Sequence, residues 1–363
     1  MSNGFRPWIP LLTFALLAAP LARAADDLRI SGPFTHDNLS VFLIHSTSPD
    51  AAKGKLLTLH EAMDAKKVVV YETGAVNELS IENQSAQDVY IQSGDIVKGG
   101  RQDRVLTTDL ILPAHSGKLP ISSFCVEQGR WTRRGNESAE QFGTSDKVVA
   151  FKQLKMAVHE PNAQVQVWNE VANARQSLAE TVAVSGAASG GAVGGVSGGV
   201  AAGEGRAPIV MVAPSPARPR STSMQMALES RPVVDATAAY IKDLAKIVDG
   251  QNDVVGFVYA INGAVNSGDV YASNDLFRRM WPMLLESSAT EALAERAQAA
   301  KTAIPDLATV KSVLADADRG KESSQQTNGR LSITRKESPK TLLFETRDPH
   351  QGGNWIHRSY VVK

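Results

Sequence analysis

The chain has 363 residues but only one cysteine, Cys125. An internal disulfide is therefore impossible, and a zinc site built from clustered cysteines is excluded too. Aromatic residues make up only 6% of the chain, and 38 basic residues balance 38 acidic ones at pH 7. A domain that binds nucleic acid usually carries a strongly basic surface, so this balance argues against nucleic acid as a partner.

The apolar run from Ile9 to Ala19 is shorter than the roughly 20 residues that a transmembrane helix needs. Arg6 precedes this run, and Ala22-Arg23-Ala24 follows it with the small-x-small pattern of a signal-peptidase site. We therefore predict a signal peptide at residues 1–24 that is cleaved after Ala24, a periplasmic or secreted protein, and no membrane span afterwards. The alternative is an uncleaved N-terminal anchor.

The composition changes in the middle of the chain. Residues 182–231 are dominated by Gly, Ala, Ser, Val and Pro, which bury too little surface to offset the entropy of ordering. We predict a flexible insert there, between a β-rich half at residues 25–181 and an α+β half at residues 232–363. The expected fold class is α+β, and the two halves would form one intertwined domain if the late strands return to the first sheet.

Strand-like segments rich in Val, Ile, Leu and Tyr recur before the insert. They are Leu39–His45, Lys67–Glu72, Leu79–Asn83, Asp88–Gln92, Arg104–Leu112 and Pro120–Val126. Thr58, with Glu61 three residues later, has the capping-box pattern that begins a short helix. A longer helix is predicted from Asn162 to Glu180.

After the insert, the clearest local signal is a β-hairpin. Two strand-like runs, Val254–Ile261 and Ala264–Tyr271, flank the favoured turn sequence Asn262-Gly263. A helix capped by Ser273 or Asn274 follows, and Pro282 predicts a kink or a new helix start inside it. The remaining predicted elements are a helix at Pro305–Ala317 and strands at Leu331–Thr334, Thr341–Thr346 and Ile356–Val362.

Glycine and charged residues interrupt the strand-like stretch between Gly94 and Trp131. Guanidinium groups bind phosphate or carboxylate bidentately, and paired glycines let backbone amides approach an anion. We therefore predict a binding site for a small anionic molecule. The candidate ligand-binding residues are Gly99, Gly100, Arg101, Gln102, Arg104, Glu127 and Arg130. The alternative is structural: Arg104 and Arg130 would pair with nearby carboxylates such as Asp103 and pin a strand to a loop.

Glu127, Asp109 and Cys125 are the candidate catalytic residues of this stretch. The two acids could act as general bases, whereas the apolar neighbours of Cys125 favour a buried, inert thiol. Trp131 is expected to be a core anchor rather than a stacking platform. The sequence has no H-E-x-x-H metal motif and no G-x-S-x-G elbow. We therefore predict no metal site, and no sequence motif identifies a cofactor.

Both halves resemble one known family, the ADP-ribosylglycohydrolase- and rhodanese-phosphatase-associated protein domain. In the first half the resemblance is carried by Leu57–Ala62, Glu72, Val76, Leu79, Asn83, Gly94-Asp95, Gly100, Gln102, Arg104, Cys125, Glu127 and Gly129–Trp131. In the second half it is carried by Gly256–Gly263, Asp269 and Leu276–Trp281. The resemblance implies an association with ADP-ribose-processing and phosphatase-like enzymes, but it implies no particular reaction.

Three functions follow as hypotheses. The leading one is an exported protein that binds an anionic molecule, nucleotide-like or phosphorylated, at the arginine-rich stretch. The second is a hydrolase acting on such a ligand, with Glu127 or Asp109 as the general base. The third is a cell-envelope interaction protein that contacts a protein partner through residues 182–231.

Overall fold

The computed structural model describes residues 28–49, 55–148, 151–189, 222–296, 303–351 and 354–363. The fold is α+β with a β-rich N-terminal half, as predicted. The predicted signal peptide and residues 190–221 of the predicted insert lie outside the described residues. No helix among the residues described is both long and apolar enough to cross a membrane.

The strands are distributed over both halves of the chain. They are β1 Arg29–His36, β2 Leu39–His45, β3 Leu57–Thr58, β4 Val68–Tyr71, β5 Glu78–Asn83, β6 Val89–Ile91, β7 Asp95–Gly99, β8 Arg104–Leu106, β9 Leu110–Leu112, β10 Gly117–Cys125, β11 Gln141–Val148, β12 Val254–Ile261, β13 Ala264–Tyr271, β14 Lys321–Asn328, β15 Leu331–Glu337, β16 Thr341–Asp348 and β17 Asn354–Val362. The α-helices are α1 Leu59–Asp64, α2 Lys152–Val158, α3 Gln164–Ser189, α4 Met224–Leu228, α5 Arg231–Leu244, α6 Asn274–Glu295 and α7 Leu307–Asp318.

An antiparallel sheet of eight strands forms the larger layer, in the order β1-β2-β12-β13-β17-β16-β15-β14. Its centre is the predicted hairpin β12–β13, in which Asn262 and Gly263 take positive φ angles of 50° and 80°. Such angles suit this Asn-Gly turn. Alternate residues of β2 face opposite sides of the sheet: Leu43 packs with helices α5 and α6, whereas Phe42 packs with α7.

A closed six-stranded barrel, β10-β5-β4-β11-β7-β8, forms the second layer. Apolar side chains such as Val70, Leu79 and Leu106 fill its interior, and α1 packs against them. A small sheet, β3-β6-β9, belongs to the same apolar cluster as the barrel. Outward-facing residues of the barrel, including Phe124, pack against α2, α3 and α4.

Most predicted elements are present, and the differences have local causes. The capping box of Thr58 and Glu61 and the Ser273 N-cap are confirmed. The predicted single strand Arg104–Leu112 is wrong, because residues 107–109 leave the barrel and divide it into β8 and β9. Helix α6 continues through Pro282 without a new start.

The predicted boundaries of the insert also need correction. Helix α3 extends to Ser189, past the expected end near Glu180, and α4 lies within the predicted insert. Strands β1, β3, β7, β11 and β14 and helices α2 and α4 were not predicted. The sequence of β14, Lys-Glu-Ser-Ser-Gln-Gln-Thr-Asn, contains no apolar residue, so it lacks the alternation that predicts a strand.

We expect Gly256→Ala to destabilise the central hairpin. A Cβ atom at this position would lie 2.5 Å from the Asp269 carbonyl oxygen and 2.7 Å from Val270 Cα. Overpacking of a well-packed core typically costs about 1–3 kcal/mol. Urea denaturation measures the change in the free energy of unfolding. Gly143→Ala in β11 is the control, because the nearest atom would lie 3.9 Å away, and equal effects of the two substitutions would contradict the prediction.

Candidate functional site

Arg104, the centre of the predicted anion site, is completely buried in β8. Its Nη1 atom donates to Cys125 Sγ at 2.9 Å and to Gln102 Oε1 at 3.2 Å. Its Nη2 atom lies 3.6 Å from Glu72 Oε2. The guanidinium group therefore faces a carboxylate of its own chain.

Arg130 is engaged in the same way by buried acids. Its Nε donates to Glu127 Oε2, and its Nη2 lies 3.3 Å from Asp103 Oδ1. Arg134, which was not predicted, adds a second guanidinium with Nη1 2.9 Å from Asp103 Oδ2. Asp103 also accepts from the Gly99 amide at 3.0 Å. These contacts hold the loop that carries Arg130 and Arg134 against the turn that follows β7, as the structural alternative expects.

The remaining predicted residues occupy varied surroundings. Trp131 is 41% exposed, so the expectation of a core anchor is wrong. Its ring lies 5.6 Å from the guanidinium carbon of Arg101 and 5.7 Å from that of Arg104. Gly100 has a positive φ of 54° and packs against the Phe142 ring, which leaves no room for a side chain. Burial raises the pKa of the Cys125 thiol to about 11, so the thiol is protonated and weakly reactive at neutral pH.

Asp109 lies apart from the arginines, in the segment between β8 and β9. Its carboxylate accepts hydrogen bonds from Tyr90 Oη at 3.0 Å, the Ser93 amide at 2.8 Å and Thr346 Oγ1 at 2.6 Å. His357 Nδ1, in β17, is 2.9 Å from the same carboxylate. Asp109 and the arginines were predicted to belong to one candidate site, but the structure separates them.

His357 bridges two buried carboxylates. Its Nε2 atom lies 3.1 Å from Asp269 Oδ1 in β13, and Lys155 Nζ of α2 lies 3.0 Å from Asp269 Oδ2. Burial disfavours the charged imidazole, but the two carboxylates outweigh it and raise the pKa of His357 to about 9. Burial would likewise raise the pKa of Asp109 and of Asp269, but their cationic neighbours lower both. His357, Asp109 and Asp269 are therefore all ionised at neutral pH.

A cavity of about 420 Å³ lies beside this cluster, where the barrel and the small sheet meet the large sheet. Asp109, Lys155 and His357 line it, together with Ser93 and Ser123. Phe124, Val158 and Phe344 contribute an apolar part of the wall. Ser123 is only 1% exposed, and its Oγ atom has no hydrogen-bond partner among the residues described. Ser123 pairs with Leu106 of the barrel interior and alternates with the outward-facing Phe124, so its side chain lies on the interior face of the barrel.

His159, at the C-terminal end of α2, also lines the cavity. Its ring stacks on Phe344, with 3.7 Å between ring centroids. Its Nε2 atom lies 3.4 Å from Ser93 Oγ. Burial, reinforced by nearby cations, lowers the pKa of His159 to about 4, so its imidazole is neutral at physiological pH.

Sequence reasoning missed Ser93, Lys155, His159 and His357 as site residues. Ser93 lies in the turn after β6, Lys155 and His159 lie in α2 and at its C-terminal cap, and His357 lies in β17. None belongs to a local sequence motif. Only Asp109 had been singled out as a candidate, while Asp269 entered solely through the family resemblance. Among the residues that the structure describes, no group of three or more His, Cys, Asp or Glu side chains is placed to hold a metal ion.

Comparison with known proteins supports the resemblance seen in the sequence. The family model described as the ARG and Rhodanese-Phosphatase-superfamily-associated Protein domain matches residues 27–361. The match spans both halves of the chain, including the barrel, the large sheet and the cavity between them. No curated protein and no solved structure is significantly similar to the chain.

We expect the free energy of unfolding to fall as the pH rises from 7 to 9. The pKa of His357 is raised from 6.5 to about 9, so the folded state retains a proton that the unfolded state releases. The stabilisation is complete below pH 6.5 and is lost as the pH passes 9. The pKa of Asp95 and of Glu291 is raised to about 7. The titration of these two carboxyl groups therefore changes the free energy of unfolding mainly below the interval from pH 7 to 9.

Urea denaturation at pH 7 and pH 9 measures this loss. His357→Gln keeps a polar side chain but removes the titrating group, so its stability should change less over the same interval. An equal loss in the wild type and the variant would contradict the assignment of the proton to His357.

Proposed function

The chain belongs to the ARG and Rhodanese-Phosphatase-superfamily-associated Protein domain family, and we propose that it is an exported protein that binds a small anionic molecule in the cavity between barrel and large sheet. The observation that carries this proposal is the ammonium group of Lys155, which lines that cavity. A bound anion would accept hydrogen bonds from this group.

The cavity has the size and the lining of a small-molecule site. Its volume of about 420 Å³ lies within the common range for ligand pockets, roughly 300–1,000 Å³. The lining combines residues with amide, hydroxyl and ammonium groups and residues with aromatic and aliphatic side chains. Such a wall suits a molecule with both a polar, hydrogen-bonding part and a flat or apolar part.

Lys155 is the group that favours an anion. Its ammonium group has three N–H donors, and the hydrogen bond to Asp269 uses one of them. The predicted arginine site is a weaker location, because Arg104 and Arg130 already face Glu72, Asp103 and Glu127. The association with phosphatases in the family description supports a phosphorylated, nucleotide-like ligand.

Thermal-shift measurements with inorganic phosphate, AMP and ADP-ribose test this proposal. A compound present at about 100 times its Kd should stabilise the folded protein by roughly 2.7 kcal/mol and raise the Tm by several degrees. We expect Lys155→Met to abolish the shift because it removes the ammonium group.

Lys152→Met is the matched control, since Lys152 lies one turn earlier in α2 and does not line the cavity. This variant should keep the full shift. A ligand-induced shift that survives Lys155→Met would place the binding site elsewhere. The absence of any shift with all three compounds would contradict the proposed ligand class.

Export is tested separately. The predicted cleavage after Ala24 gives a mature protein that begins at Ala25. Intact-mass spectrometry of protein recovered from the periplasm or the medium should therefore show the loss of residues 1–24. Replacing both Ala22 and Ala24 with bulky residues should block cleavage, whereas the same replacement at Ala18 and Ala19 should not. Recovery of only uncleaved protein from the cell interior would contradict export.

A further inference from the structure

Ser93 lies in a tight turn that directs its hydroxyl group to the cavity. The turn Gln92–Asp95 is closed by a hydrogen bond from the Asp95 amide to the Gln92 carbonyl, and Gly94 supplies a positive φ of 101°. The Ser93 amide donates to Asp109 Oδ1, and the Gly94 amide donates to the Leu106 carbonyl. These three hydrogen bonds fix the backbone of the turn, and therefore also the position from which the Ser93 side chain extends at the cavity wall.

His159 faces this hydroxyl group, and its Nε2 atom is a hydrogen-bond acceptor in the tautomer that carries the ring hydrogen on Nδ1. Its Nε2 atom is 3.4 Å from Ser93 Oγ, and a separation of this size is common for catalytic pairs before a substrate tightens them. The stack on Phe344 fixes the plane of the imidazole. The pKa of His159 lies well below neutrality, so Nε2 is available to take a proton at physiological pH.

The same cavity contains a hydrogen-bond donor that could stabilise negative charge. Lys155 Nζ carries N–H groups beyond the one bound to Asp269, and Lys155 lines the cavity together with Ser93 and His159. Donors placed where charge develops in the transition state are a major source of rate enhancement.

We propose that this cavity hydrolyses a small carboxylic ester, with Ser93 as the nucleophile and His159 as the general base. The inference rests on the proposed ligand cavity and assigns it a reaction. It differs from acid–base catalysis by Asp109 or Glu127. Both carboxylates are held by internal partners, namely His357, Tyr90 and Thr346 for Asp109, and Arg130 for Glu127.

The reaction needs only the ester and water. Ser93 Oγ forms a bond to the carbonyl carbon while His159 Nε2 takes the hydroxyl proton. The C–O bond to the leaving alcohol then breaks, and the alcohol receives that proton from His159. Water attacks the acyl-serine, His159 takes a proton from the water, and the Ser93–acyl bond breaks. The proton returns to Ser93 Oγ, and the carboxylic acid is released.

A fluorophosphonate probe and p-nitrophenyl acetate test the proposal on the purified protein. We expect mass spectrometry to find the phosphonyl group on Ser93, because Ser93 Oγ displaces fluoride from phosphorus. Ser93→Ala should remove this label and the ester hydrolysis. His159→Gln should slow both reactions by about 100-fold or more, the usual contribution of a general base. Ser324→Ala, at an exposed position of β14 that does not line the cavity, should react like the wild type.

The pH profile separates a catalytic role of His159 from a structural one. His159 is surrounded by Asp109, Arg335, His357 and Lys155, and the balance of burial and charge keeps its pKa near 4. Ester hydrolysis should therefore persist from pH 7 to about pH 5 and fall below it. Labelling that does not depend on His159, or no label on Ser93 in folded protein, would overturn the proposal.

The outcome is distinguishable from failure of the binding proposal. If AMP or phosphate still shifts the Tm of the wild type and of Ser93→Ala but Ser93 is never labelled, the cavity binds its ligand without this chemistry. If neither the shift nor the label is observed, both proposals are wrong. If Ser93 is labelled in a His159-dependent manner, the hydrolytic pair is supported whatever the anion screen shows.

Discussion

The buried imidazolium of His357, held between Asp109 and Asp269, is the interaction on which the relation of the two layers depends. Asp109 comes from the segment that separates β8 from β9, and Asp269 and His357 come from neighbouring strands of the large sheet. Burying charges costs several kcal/mol per ion unless each has a well-placed partner, so all three groups must be in position together. This requirement fixes how the small sheet meets the large one, and thereby forms the cavity.

Local patterns predicted the elements whose cause is local. The Asn262-Gly263 turn and the Thr58 capping box depend on residues within a few positions of each other, and both are confirmed. Strand β14 has no apolar alternation, because it lies at the edge of the large sheet, where residues 321–325 are exposed. The division of β8 from β9 depends on partners of Asp109 more than 200 residues away, which no local pattern contains.

The same distinction explains the outcome for the candidate site. The arginines and acids between Gly94 and Trp131 attracted attention because they are close in sequence, and that closeness lets them neutralise one another. Ser93, Lys155, His159 and His357 are each unremarked in the sequence, and only the fold brings them to one wall. Here a charge cluster that is visible in the sequence indicates internal ion pairs, whereas the open polar wall is assembled from distant residues.

The order of strands in the large sheet has a consequence for how the chain reaches its native state. Strand β2 pairs with β12, so Leu39 lies beside Ile261, and β13 must wait for β17 at the end of the chain. Closing such long loops is slow, because entropy is lost before the contacts form. Strand β1 can pair with β2 at once, but β2 gains its second partner only when β12 has been synthesised, and β13 gains its second partner only with β17. The large sheet is therefore completed only when β17, at Asn354–Val362, has left the ribosome.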